Sequence, residues 1–148
     1  MSEKNIVVFD LDGTIALIDH RLHYIKRDDP DWEAFHMACV DDVPNEAVIT
    51  ALQAMAQSGH VIMIMTGRSE IAMNLTQDWL EDNNALYDNL IMRSHDDFFT
   101  PDHILKKQWI EARQIKDQIV CAYDDRDKVV SMWRNEGIPC FQVAPGNF

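Results

Sequence analysis

Cysteine is scarce in this chain of 148 residues: Cys39, Cys121 and Cys140 are odd in number and form no C-x-x-C pair. That excludes a disulfide framework and a zinc ribbon, and makes a reducing, cytoplasmic setting the expected one. No apolar run approaches the ~20 residues of a membrane helix, so no membrane partner is expected, and Met1-Ser2-Glu3-Lys4 does not begin a signal peptide. Positive charge is short as well. Thirteen Lys and Arg against 25 Asp and Glu give a net charge of −12, which opposes broad attachment to DNA or anionic lipid while leaving room for local cationic pockets. Repeats and low-complexity tracts are missing. What remains is 47% hydrophobic, enough for residues 1–148 to form one domain with a real core.

The most informative stretch is Ile6-Val7-Val8-Phe9-Asp10-Leu11-Asp12-Gly13-Thr14. Its consecutive apolar residues predict a strand buried on both faces. The strand delivers two carboxylates at its carboxyl end, where open α/β sheets bind ligands. A period of two places Asp10 and Asp12 on one side and turns Leu11 back into the protein. Two like charges this close are expected to shift each other's pKa values and to require a divalent cation or a shared proton. Gly13 permits a sharp turn. An EF-hand reading of D-x-D-G fails on spacing, because the glycine comes too early and Arg21 stands where the glutamate belongs.

Residues 15–29 turn charged and read as loop, and Asp29-Pro30-Asp31 predicts the start of a short helix through Trp32, Phe35, His36 and Cys39. A helix is predicted over 45–58, closing on Gly59. Val61 to Met65 reads as a second buried strand, ending in Thr66-Gly67-Arg68-Ser69, with a helix from about Ser69 to Asp82. Leu90-Ile91-Met92 reads as a third strand, and Thr100-Pro101-Asp102 as a helix start with Thr100 as cap. Ile119 to Tyr123 reads as a fourth strand ending on Asp124-Asp125-Arg126, a last helix carries Val129, Val130 and Trp133, and Cys140 to Val143 is a final strand. This alternation predicts an α/β, three-layer doubly wound parallel sheet.

Polar residues gather just past the strand ends: Asp10 with Asp12, Thr66, and Asp124 with Asp125; Lys106 lies one turn into the helix after the third strand. One crevice can collect them all. Carboxylates, a hydroxyl and a lysine at one sheet edge point to phosphoryl chemistry with Mg²⁺, which prefers oxygen ligands and takes one or two carboxylates. A carboxylate can attack phosphorus if a cation offsets the repulsion between the two anions.

In order and type, D-L-D-G-T, then T-G-R after a hydrophobic strand, a lysine, and D-D after a last buried strand resemble the haloacid dehalogenase superfamily of phosphatases. The resemblance implies a Rossmann-like fold, with residues about 20–43 as a minimal cap insertion. It implies Asp10 as the nucleophile that forms an aspartyl-phosphate and Asp12 as the proton donor and later base. Thr66 would bond the transferring phosphoryl group and Lys106 would stabilise its charge. The Mg²⁺ ligands would be the carboxylates of Asp10 and Asp125 and the main-chain carbonyl of Asp12, with Asp124 acting through water or holding the lysine. The runs Asp124–Arg134 and Cys140–Phe148 resemble more closely the phosphatase domain of bacteriophage polynucleotide kinase–phosphatases, over nearly the whole chain. That likeness adds Arg21, nine residues past Asp12, and Arg68 as phosphate-binding residues, with Gly67 beside Arg68, Arg93 after the third strand, and Asp102 four residues before Lys106. Segment 22–42 departs from the family, and no G-x-x-x-x-G-K-[ST] loop occurs, so no kinase half is expected within these residues.

The implied activity is a Mg²⁺-dependent phosphomonoesterase acting on a phosphorylated nucleotide or nucleic-acid 3′ end, in nucleic acid repair. A nucleotidase or general small-molecule phosphatase is the alternative, and a non-catalytic Mg²⁺-dependent binding module the reading from a different class. The phage relatives associate in several copies, which keeps a homo-oligomer in view. Lys107 competes with Lys106, but the i, i+4 spacing from Asp102 favours Lys106. His20 and His23 lack further ligands for a metal site and read as solvated or rim residues. Trp79, Trp109 and Trp133 read as core. Trp32 and Phe35 could stack on a nucleobase, although packing of the insertion onto the core is the preferred reading.

Overall fold

The computed structural model describes residues 3–148; Met1 and Ser2, half of the N-terminal tetrapeptide read above, lie outside them. The chain runs β1 (Ile6–Phe9), β2 (Ala16–Leu17), α1 (Trp32–Met37), β3 (Val43–Pro44), α2 (Glu46–Gln57), β4 (Val61–Ser69), α3 (Met73–Asp82), β5 (Asn89–Arg93), α4 (Asp102–Arg113), β6 (Ile119–Asp124), α5 (Asp127–Asn135) and β7 (Cys140–Gln142). Five strands form a parallel sheet in the order β5-β4-β1-β6-β7. The chain leaves β1 for β4 and β5 on one side, then returns to β6 and β7 on the other. This reversal opens a crevice at the carboxyl end of β1, the usual ligand position in such sheets.

Every residue of β1 is buried because successive side chains enter two separate cores. Val7, Phe9 and Leu11 join Ile62, Ile64 and Cys121 against Leu52 of α2 and Trp79 and Leu80 of α3. Ile6 and Val8 join Met63, Met65 and Ala122 against Ile110 of α4 and Val129 and Trp133 of α5. Burying each such side chain contributes roughly 1.5–3 kcal/mol, so the central strand is firmly set and its end is a rigid platform. Trp79 and Trp133 are core residues as expected, and Trp109 packs at the edge of the second core.

Three local expectations are corrected. The 15–29 stretch is not all loop: β2 pairs antiparallel with β3 (Ala16 with Pro44, Leu17 with Val43), and Asp19–Tyr24 forms a 3-10 turn. This narrow ribbon carries the insertion out and back, and two-residue strands are too short to leave a period. Second, β4 runs on through Thr66-Gly67-Arg68-Ser69 with a shift in register against β5, so α3 begins later than expected, after a 3-10 turn at Glu70–Ala72. Third, Pro101 occupies the N-cap position of α4 and no side chain caps it; Thr100 instead donates its amide to Asp97 Oδ1 at 3.0 Å. Among the described residues no helix is long and apolar enough to cross a membrane.

Candidate active site

The pairing of β1 with β6 continues one residue beyond Phe9: the Asp10 amide donates to the Tyr123 carbonyl at 2.9 Å. This seats the Asp10 side chain on the floor of a cleft of about 1340 Å³. Lys106, only 2% exposed, reaches down from α4 and donates to Asp10 Oδ1 at 2.7 Å and to Asp124 Oδ2 at 2.9 Å. The Thr14 hydroxyl donates to Asp10 Oδ2 at 3.0 Å. Asp124 is fully engaged, since its Oδ1 accepts the Asp125 amide at 2.9 Å and its Oδ2 also accepts from Trp133 Nε1 at 3.3 Å. Lys107, by contrast, is solvent-exposed and pairs with Glu136 at 3.3 Å.

Asp10, Asp124 and Asp125 each offer an oxygen, all within 4.8 Å of one another. Three buried carboxylates facing one ammonium leave the cluster short of positive charge. Burial and then Asp124 push Asp10 well above the usual carboxylate range, against the pull of Lys106. Burial and Asp124 likewise push Asp125 up to about 6. Lys106 loses solvation too, but Asp10 and Asp124 outweigh that loss and hold its pKa above the ordinary lysine value. An all-oxygen donor set with excess negative charge fits a hard divalent cation such as Mg²⁺.

Asp12 lies in a different field. Its Oδ1 accepts from Arg21 at 2.8 Å and from the Nε of Arg68 at 3.2 Å, with a second, shorter bond from the Arg68 guanidinium. Burial works to raise its pKa, but Arg68 and Arg21 overcome this and lower it to about 2. The expectation that Asp10 and Asp12 perturb each other is therefore corrected. The carboxylates that burden Asp10 are Asp124 and Asp125, while Asp12 is answered by arginine.

Asp42 is a functional residue that sequence reasoning missed. Its buried carboxylate accepts from Arg21 Nε at 2.7 Å, from a terminal nitrogen of Arg21 at 2.9 Å and from one of Arg68 at 3.1 Å. His20 Nε2 lies 2.7 Å from the same group, so this rim histidine belongs to the arginine network and not to a metal pair with the exposed His23. Read alone, Asp42 is one more acid before Val43-Pro44; only the two arginines, distant in sequence, reveal it. Arg21 is completely buried, with its guanidinium 4.4 Å above the Phe35 ring, and it does not line the cleft. Arg68, 1% exposed, does line it and is braced by Thr76 Oγ1 at 2.9 Å.

The remaining residues singled out by sequence meet on the same wall. The Thr66 hydroxyl oxygen accepts the Arg68 amide at 3.0 Å, leaving its hydrogen free. A Cβ on Gly67 would lie 2.3 Å from Asp102 Oδ1, so only glycine admits that carboxylate. Asp102 in turn takes Arg93 at 2.6 Å and Arg126 at 3.4 Å, and Arg93 Nε also donates to the Gly67 carbonyl at 2.8 Å. A buried carboxylate held by a lysine can act as nucleophile toward a phosphate ester once a cation offsets the repulsion between the two anions.

Comparison with known proteins also points to phosphatase chemistry. The family model for the polynucleotide kinase PNKP phosphatase domain matches residues 4–148. A protein of Autographa californica nuclear polyhedrosis virus, by name a bifunctional polynucleotide kinase/RNA ligase, is 32% identical over 136 residues, which make up 90% of this chain and 18% of the viral protein. A chain of the solved Pnkp1/Rnl/Hen1 RNA repair complex superposes with a TM-score of 0.83 at 30% identity, over 98% of this chain and 44% of that one. A predicted phosphatase from Clostridium acetobutylicum shares the fold, with a TM-score of 0.66 at 16% identity over 95% of this chain and 85% of its own. The chain thus spans less than half the length of the viral relative and of the repair-complex chain. It belongs to the PNKP phosphatase-domain family of haloacid dehalogenase phosphatases.

Proposed function

We propose that this chain is a Mg²⁺-dependent phosphomonoesterase that removes phosphate from nucleic-acid 3′ ends through an aspartyl-phosphate on Asp10. The observation that carries the reading is the Asp10 carboxylate, buried at the cleft floor between Lys106 and Thr14 and flanked by two further carboxylates. Mg²⁺ held by Asp10, Asp125 and the Asp12 carbonyl would supply the positive charge that lets an anionic nucleophile and an anionic phosphate approach each other. Asp124 contributes chiefly by holding Lys106.

The Asp10 carboxylate attacks phosphorus, and the bond from phosphorus to the ester oxygen breaks as that oxygen takes a proton from Asp12. Asp12, now ionised, removes a proton from water as the water attacks the aspartyl-phosphate, which releases inorganic phosphate and restores Asp10. The Thr66 hydroxyl donates to the transferring group and Lys106 offsets its charge. Without substrate, Arg68 and Arg21 hold Asp12 ionised. An arriving phosphate dianion competes for Arg68, which lines the cleft, and brings negative charge close to Asp12; both effects raise the affinity of Asp12 for a proton. Arg21, buried behind, keeps Asp12 aimed. Asp102 orients Arg93 toward the outer part of the phosphate site.

Family membership and the likeness to a chain of an RNA repair complex support a nucleic-acid end as substrate. The net charge of −12 favours the second reading, a free mononucleotide, because it opposes long contact with a polyanion. Three free buried cysteines support work in a reducing compartment. The deciding experiment measures phosphate release from 3′-phosphorylated oligonucleotides, 3′- and 5′-mononucleotides and a simple phosphomonoester, for the wild type and for Asp10→Asn. The proposal expects preference for 3′-phosphorylated ends and no turnover by the variant. Turnover by Asp10→Asn with Mg²⁺ present overturns the mechanism, and equal rates on all substrates overturn the substrate assignment.

A further inference from the structure

The phosphoryl chemistry leaves one part of the cleft wall unused: helix α1 of the insertion. Asp31 caps it, accepting the Ala34 amide at 2.9 Å. Phe35 bolts it to the arginine network, with its carbonyl accepting from Arg21 at 3.1 Å and its ring beneath the same guanidinium. Trp32 and His36 stand one turn apart and both line the cleft, their ring centroids 6.1 Å apart and tilted by 31°. Trp32 is 50% exposed, so packing alone does not account for it.

His36 is 8% exposed, and its Nδ1 is sealed from solvent with no hydrogen-bond partner among the described residues. Buried polar atoms are nearly always satisfied, so an exception asks for an explanation. Burial holds the imidazole neutral, with a pKa lowered to about 4; Asp12 pulls upward, while Arg21, Arg68 and Arg93 add to the lowering. A neutral ring carries one proton. Carried on Nε2 it can be donated into the cleft, whereas on the sealed Nδ1 it would meet nothing.

We infer that Trp32 and His36 form the site for the leaving nucleoside, with Trp32 stacking on the terminal base and His36 Nε2–H donating to an oxygen of its sugar. The inference rests on the reading that the substrate is a 3′-phosphorylated nucleic-acid end. With phosphorus at Asp10 and the ester oxygen at Asp12, the next group along is the sugar, beside the residue that shares the field of Asp12. A ribose carries its 2′-hydroxyl on the carbon next to the one that bears that ester oxygen. The base lies further out, toward the exposed indole one turn away. The site therefore selects a ribonucleotide end.

Steady-state kinetics on four substrates test this: a 3′-phosphorylated oligoribonucleotide, the matching oligodeoxyribonucleotide, the same oligomer with an abasic terminal residue, and glycerol phosphate. Trp32→Ala should lower kcat/KM on base-bearing ends by roughly 5- to 100-fold, chiefly through KM. The loss on the abasic end should be at least about fivefold smaller, and Trp32→Phe should recover most of the activity. His36→Phe keeps a ring but removes the donor. It should cost the ribonucleotide end about 2- to 10-fold more than the deoxyribonucleotide end, with His36→Gln restoring part of the loss. Equal losses on all four substrates would reveal a merely structural role, and undiminished activity on base-bearing ends would remove the site altogether; either result overturns the inference. Failure of the underlying reading looks different: the wild type would then treat oligonucleotide ends and glycerol phosphate alike.

Discussion

Asp42 offers the sharpest test of how the site is held. It is a buried carboxylate between two buried guanidinium groups, accepting from Arg21 at 2.7 and 2.9 Å and from Arg68 at 3.1 Å. Asp42→Asn keeps the size and one acceptor oxygen, but turns an amide toward groups that can only donate. Arg21 and Arg68 then share Asp12 as their remaining carboxylate. Removing one partner of a buried ion pair costs about 3–5 kcal/mol, and the surviving acceptor places this variant near the lower figure. At about 2–4 °C per kcal/mol for a protein of this size, the melting temperature should fall by roughly 6–12 °C. Urea denaturation should show a lower midpoint with an unchanged slope. Catalysis should change in a way that instability alone would not produce. With Asp42 neutral, both arginines bear on Asp12 alone and hold its proton affinity still lower, so the basic limb of the kcat–pH profile should move toward acid. A variant that unfolds within about 0.5 kcal/mol of wild type, with an unmoved pH profile, would refute the claim that Asp42 holds the arginines.

Asp125→Asn should stabilise the metal-free protein while destroying activity, since at pH 8 the native carboxyl, with its pKa pushed up to about 6, is ionised against its surroundings. The gain should be roughly 1–3 kcal/mol. A carboxyl raised in the folded state carries no penalty below its ordinary value of 3.8 and its full penalty above about 6, so Asp125 should cost the metal-free wild type stability as pH rises between them. Urea midpoints at pH 4 and pH 8 for wild type and Asp125→Asn, with and without Mg²⁺, check this; Mg²⁺ should offset the penalty only in the wild type, and a variant no more stable than wild type at pH 8 contradicts it. Gly13→Ala would place a Cβ 2.1 Å from Asp125 Oδ2 at a backbone φ of +83°, and about 1–3 kcal/mol of strain carried into the transition state should lower phosphate release roughly 5- to 150-fold. A wild-type kcat in that variant would show that the turn does not position Asp125.

How far the sequence can be read depends on whether the cause is local. β1, β4 and β6 were legible because each is a short apolar run bounded by turn residues, and the five-stranded parallel sheet follows from their alternation with helices. Asp10 and Asp125 were legible because each follows a buried strand, Thr66 because it closes the apolar run of β4, and Lys106 because it lies one turn into α4, and the fold brings such positions to one edge. The β2–β3 ribbon was not, because two residues per strand carry no period. Asp42 was not, because its meaning lies in partners 21 and 26 residues away. Trp32 and Phe35, alike as aromatics in one insertion, separate only in three dimensions: both line the cleft, but Phe35 is buried under Arg21 while Trp32 stands half exposed.

The single residue between Asp10 and Asp12 divides two electrostatic fields, and this division accounts for the order of events in the proposed mechanism. On the Asp10 side, three carboxylates face one lysine and call for a cation. On the Asp12 side, Asp12 and Asp42 balance Arg21 and Arg68, so a new anion can be accommodated only by displacing an existing carboxylate contact. A phosphate ester is the ligand whose charge fits both demands. In the proposed mechanism it would share a divalent cation with Asp10 and compete with Asp12 for Arg68. Under the proposed mechanism its arrival would strengthen the position of Asp10 as nucleophile and, in the same movement, free Asp12 to carry a proton. Leu11 keeps the two fields apart, because its side chain is locked into the core with Phe9 and Ile64 and cannot let the strand end rotate. A proton donor placed among Asp10, Asp124 and Asp125 would sit in the wrong field, since no arginine there could yield to substrate and change its charge state.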